Sequence, residues 1–241
     1  MSTFLSLPRE LRDQIYELCL LHPEPFDPWS SYGQLHELTL GLFRLNKAIH
    51  TEACSLFYAH NHFDFTSVTA EKVVSFLEVI GRNAGYIRHV LVDFPEFLYL
   101  DPGDIALVAK DIDIIASLQR NCTNLSTLTT SLHTTHHMEI RLDTIEHPKV
   151  ATEALKLVDT HFKSIPSLQD IIVEVYEFGP NDYIRRQMVR QGWTISTIEE
   201  EEDRESKGSW PDYDDYDYDG YSDDGDYDVD NDSDYWRRTA D

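Results

Sequence analysis

The stretch DIALVAKDIDIIASLQRNCTNLSTLTTSL, Asp104 to Leu132, decides how the chain is read. Ile105, Val108, Ile112, Ile115 and Leu118 recur at intervals of three and four, which predicts a helix over Asp104–Asn121 with one apolar face. Asp104 is well placed to cap it. LSTLTTSL, Leu125–Leu132, follows as a strand. The same passage recurs on either side. A helix from about Thr69 to Ile80, closed by Gly81, leads to the strand IRHVLVDF, Ile87–Phe94. A helix opening at Pro148, with Leu155, Val158, Phe162 and Ile165, leads to LQDIIVEV, Leu168–Val175. A shorter helix between Pro180 and Gly192 leads to WTISTI, Trp193–Ile198, and NHFDF, Asn61–Phe65, is one more short strand. Strands alternating with helices of this length imply parallel pairing through right-handed crossovers, with apolar strands covered by helices.

The N-terminal part has a different rhythm. In SLPRELRDQIYELCLL, Ser6–Leu21, Pro8 suits the first position of a helix and Glu10 falls near the positive end of its dipole. Leu7, Leu11, Ile15 and Leu18 share one face, expected to pack inward first and to dock a partner only with what remains exposed. Residues 22–34 carry Pro23, Pro25, Pro28 and Gly33 and are expected to form a surface loop. Its Phe26, Trp29 and Tyr32 can either contact a partner or fold back over the edge of the core. Leu38, Leu42, Leu45, Ile49, Ala53 and Leu56 then mark one helix or two, with Asn46 as the cap where a pair would divide.

LPRELRDQIYEL resembles the opening of the F-box, and LFRLNKAIHTEACSLFYAHNHFDF, Leu42–Phe65, is similar to the second half of the F-box-like domains abundant in filamentous fungi. The resemblance implies docking on the Skp-type adaptor of a cullin-RING ubiquitin ligase through Leu7, Pro8, Leu11 and Ile15. The joints NCTNLSTL and SIPSLQDI resemble the helix-to-strand passages of leucine-rich repeats. Successive strands nevertheless lie about 25 to 45 residues apart, against roughly 20–29 for that repeat, so a degenerate repeat and an ordinary α/β layer fit equally well. The expected class is thus α+β/α/β: F-box-like helices over 1–60, a helix-strand body with a mainly parallel sheet over 61–198, and an acidic tail over 199–241.

Charge limits what the chain can bind. Of the formal net charge of −24, residues 199–241 carry −15, with nineteen Asp and Glu against four Lys and Arg. Self-repulsion and scarce aliphatic residues predict disorder there, and the tail suits basic protein partners as well as simple solubility. No Lys/Arg cluster suggests a direct grip on nucleic acid. Cys19, Cys54 and Cys122 form no C-x-x-C pair and read as buried thiols of a reducing compartment, which with no signal peptide or membrane-length apolar run predicts a cytoplasmic or nuclear protein.

Catalytic patterns are missing: no G-x-G-x-x-G follows a strand, and there is neither a phosphate loop nor a nucleophile elbow. HTTHH places His133, His136 and His137 just past a strand end, where three imidazoles can in principle hold a metal, although a solvated loop is the expectation. Asp93, Glu96, Asp101 and Asp104 are carboxylates near strand ends, more suited to capping than to acid–base work. No enzyme and no cofactor is expected; the chain reads as a protein–protein interaction module that recruits an unidentified target, or as a stand-alone interaction protein of the same fold.

Overall fold

Five helix-to-strand passages set the architecture. The computed structural model describes residues 4–29, 38–132, 136–145 and 147–198. The acidic segment predicted to be disordered lies outside the described residues, as do Tyr32 and His133. Helix α1 (Arg9–Leu20) comes first, then a 3-10 turn at Leu40–Arg44 and α2 (Lys47–His60), which runs into β1 (His62–Asp64). Next, α3 (Ala70–Ile80) and a 3-10 turn at Gly81–Tyr86 lead to β2 (His89–Asp93), followed by β3 (Phe97–Asp101) and β4 (Asp104–Leu107). Helix α4 (Ala109–Asn121) leads to β5 (Thr127–Ser131), and α5 (His136–Asp143) and α6 (Pro148–Phe162) lead to β6 (Asp170–Tyr176). Finally α7 (Asp182–Gln191) leads to β7 (Thr194–Ile198).

The main sheet has the order β1-β2-β5-β6-β7, and every neighbouring pair is parallel. Each crossover therefore moves one strand onward in the same direction, and right-handed connections place all the crossover helices on one face. The burial of the strands agrees. Phe63, Val90, Leu128 and Ile171 lie side by side in register and are all buried, while their sequence neighbours on the other face are half-exposed or exposed. The two widest sequence gaps between successive strands hold extra elements, the β3–β4 hairpin and α5.

Caps decide where several helices begin and end. Asn46 accepts hydrogen bonds from the amides of Ala48 and Ile49, both at 3.0 Å, and so divides the 3-10 turn from α2. Asn181 does the same for α7 through Tyr183 and Ile184. Gly192 closes α7 at φ 93°, a left-handed conformation that suits glycine.

The stretch that opens the sequence reading divides differently from its periodicity. Asp104–Leu107 is a strand, antiparallel to Phe97–Asp101, and the helix starts only at Ala109 with Val108 as its N-cap residue. Asp104 therefore caps no helix. Asp101 and Asp104 flank the turn through Pro102 and Gly103, where φ 86° at Gly103 favours a hairpin, and the buried Phe97 and Leu107 pair across it.

One apolar core serves both the N-terminal helices and the sheet. Tyr16, Leu20, Ile49 and Phe57 belong to the same cluster as Phe63, Val90, Leu128 and Val173, and Met1–Glu200 form one compact unit. The N-terminal helices and the sheet thus share this core. The proline-rich segment is tied to the sheet as well. Phe26 donates its amide to the His62 carbonyl at 2.6 Å and accepts from the Asp64 amide at 2.9 Å, a parallel bridge along the outer edge of β1. That bridge covers part of an edge otherwise open to pairing with another chain.

Candidate docking surface

Helix α1 carries two apolar faces, and a polar clamp decides which one is buried. Arg12 donates to both carboxylate oxygens of Glu52 on α2, at 2.9 and 2.6 Å, and to the Leu7 carbonyl at 2.6 Å. The Tyr16 hydroxyl donates to the same carboxylate at 3.0 Å, and Arg9 stands 3.3 Å from it. At the other end of the helix, buried Asn61 donates to the carbonyls of Leu20 and Phe57 and accepts from the His22 amide. Both ends of α1 are therefore held to α2, with the fully buried Tyr16 and Leu20 between them.

The consequence is a rotation of the helix relative to expectation. Leu11 is 46% exposed and Leu18 88%, and Ile15 between them is half-exposed. The stripe Leu7–Leu11–Ile15–Leu18 does not pack inward first; Tyr16 and Leu20 fill that role. A tyrosine fits the inner face because its ring packs and its hydroxyl finds Glu52. Leu5, 44% exposed, lies in the 3-10 turn just ahead of the helix. Pro8 is exposed and occupies the N-cap position, one residue earlier than the first helical turn, with φ −52° and ψ 149°. Four apolar side chains on one short helix and its lead-in turn are thus left to solvent in whole or part, a feature associated with partner docking.

The electrostatics keep the clamp charged. The Arg12 hydrogen bonds hold the Glu52 carboxyl below its usual range, against the opposing effect of burial. Burial, together with the bond to Glu52, pushes the Tyr16 phenol up to about 12. Because the Glu52 value is depressed on folding, its contribution to stability is present above the ordinary glutamate range and is lost as pH falls through the folded value. The melting temperature should therefore drop on acidification in the wild type. Glu52→Gln should show a smaller drop and, near neutral pH, a loss of about 2 kcal/mol. Equal acid sensitivity in the two proteins would dismiss the clamp as a pH-dependent element.

The other candidate residues are not gathered at this surface. Trp29 is half-buried and meets Phe65 and Phe76 edge-on, with ring centroids 5.6 and 5.9 Å away, so its ring covers the core of the body. His136 and His137 open helix α5 rather than lying in a loop, and His137 is exposed. No group of three or more His, Cys, Asp or Glu able to hold a metal occurs among the described residues. The carboxylates near strand ends have structural partners: Asp93 accepts from the Ser67 amide at 2.8 Å, and Glu96 pairs with Lys110 at 3.0 Å. Asp111, which the sequence reading passed over, accepts from the Glu96 amide at 2.8 Å, and burial raises its pKa. Cys54 and Cys122 are buried free thiols, and burial pushes Cys122 up to about 12. Among the described residues no helix is long and apolar enough to cross a membrane. No family model, curated protein or solved structure matches the chain.

Proposed function

We propose that the chain is a substrate-recruiting subunit in which the outward stripe of α1 docks on a Skp-type adaptor of a cullin-RING ubiquitin ligase, while the α/β body receives a target protein. The observation that carries this reading is the orientation of α1. Tyr16 and Leu20 anchor the helix from beneath, which leaves Leu11, Ile15 and Leu18 available to a partner, beside Leu7 and Pro8. The body is read as a degenerate leucine-rich-repeat-like arc, on the grounds that its five strands follow one another in sequence order and all run parallel. A stand-alone interaction protein with the same fold is the second reading. It is favoured by the Phe26 bridge, which binds the segment between the two F-box-like halves into the sheet.

Adaptor capture separates the two. The full chain should co-purify with a Skp-type adaptor, and Leu18→Asp or Leu11→Asp should weaken capture at least tenfold, since each puts a charge into an apolar contact. The melting temperature should stay within about 2 °C of wild type, because these side chains are exposed already. Failure of the wild type to capture adaptor at micromolar concentration removes the ligase reading and leaves the second.

A further inference from the structure

Among the described residues no crossover helix lies on the second face of the sheet. Single-direction winding places the helices on the side of Phe63, Val90, Leu128 and Ile171, so the alternate residues point the other way. Across the middle of that outer side run Asp64, Leu91, Thr129 and Ile172, adjacent in register and all half-exposed. Neither Leu91 nor Ile172 packs against the core. Toward the C-terminal ends of the strands stand Asp93 and Glu174, which share a register row through the buried Ser131. No lysine or arginine occupies an outward position on any of the five strands.

Glu174 is the informative member. Its carboxylate has no hydrogen bond or ion pair among the described residues, although it is half-buried. Burial and the charge of Asp64 raise its pKa, the signature of a carboxylate without a counter-ion. At the opposite end of the strands His62 and His89 stack with ring centroids 4.6 Å apart, and burial, with the neighbouring His62 and Arg88, lowers the pKa of His89. The face as a whole combines a small apolar strip with the Glu174 carboxylate, which has no counter-ion among the described residues.

We propose that this outer face of the parallel sheet is a docking surface for a cationic, lysine- or arginine-bearing segment of a partner protein. The cation meets Glu174 with Asp64 nearby, and an apolar side chain of the segment lies across Leu91, Thr129 and Ile172. The backbone groups of the inner strands are already paired within the sheet, so recognition runs through side chains. Charge complementarity selects this occupant over an acidic or purely apolar one. The inference deepens the recruiting-subunit reading by naming the chemistry of its target, and depends on that reading for its biological role alone.

The test uses the full chain and a fluorescein-labelled peptide of alternating lysine and leucine, with a glutamate–leucine peptide as the counterpart, read by fluorescence anisotropy at moderate salt. The cationic peptide should bind and the anionic one should not. Glu174→Gln should weaken binding several-fold and Glu174→Lys at least tenfold, with circular dichroism confirming the fold of each; the Gln variant keeps the test valid where the Lys variant unfolds. Unchanged affinity in the folded variants would assign the binding to the acidic segment 199–241 and overturn the proposal. Equal binding of the two peptides, or none by the wild type, overturns it as well. Adaptor capture through α1 is read separately and should not respond to Glu174, so failure of either idea is distinguishable from failure of the other.

Discussion

Phe63→Ala should lower stability by about 4 kcal/mol and the melting temperature by roughly 10 °C. Phe63 is fully buried on β1, between the Phe26 bridge on one side and Val90 of β2 on the other. Its ring stacks on Tyr58 at 5.7 Å and meets Phe26 at 5.8 Å and Phe57 at 5.9 Å edge-on, with Phe76 at 6.0 Å. These partners come from the proline-rich segment, α2 and α3. Truncation removes the transfer energy of the ring and leaves a cavity that elements fixed by their own hydrogen bonds cannot fill. Urea unfolding checks the magnitude, and a loss below about 1 kcal/mol would mean that the site collapses and the ring is not the junction of these elements.

Trp193→Ala should cost a similar amount, about 4 kcal/mol, for a different mixture of reasons. The indole is 3% exposed, and its Nε1 donates to the Asp159 carboxylate at 2.9 Å. The ring also meets Phe162 on α6 at 5.8 Å and Phe94 beyond β2 at 6.3 Å. Loss of the ring thus unpacks the last helix-strand unit from α6 and from the segment that follows β2. Loss of the N–H takes a partner from the buried Asp159, which keeps its bond to Lys163 at 2.8 Å. Trp193→Phe isolates the second effect in part, since it retains an aromatic ring, and should cost about 1–3 kcal/mol. Equal losses for Phe and Ala would show that the hydrogen bond, and not the packing, carries the site.

The helices of the body were legible because their information is local. The spacing in α6, Pro148 at its start and the glycines at 81 and 192 act within a turn or two of the residues they control. The β3–β4 hairpin was misread for the same reason. Ile105 and Val108 satisfy a helical interval by accident, and the competing signal, the Asp101–Asp104 turn, depends on Phe97 and Leu107 meeting across it. His136 and His137 reading as a loop reflects a weakly amphipathic helix, whose buried Met138 and Leu142 are too few to set a period. The site was legible in half. The apolar stripe of α1 is plain in the sequence, but the stronger inner face was hidden in Tyr16, which looks polar until Glu52 is placed beside it.

Taken alone, the amino-acid sequence determined the alternation of helix and strand, the parallel class of the sheet and the amphipathic opening helix, all set by periodicity and caps that operate over a few residues. Tertiary structure alone decided that the strands follow one another in a single direction, which places the crossover helices on one face of the sheet. It also decided that α1 turns Leu11 and Leu18 outward. Both outcomes rest on partners far apart in the chain, such as Arg12 with Glu52 and Phe26 with Phe63, whose pairing no local pattern encodes.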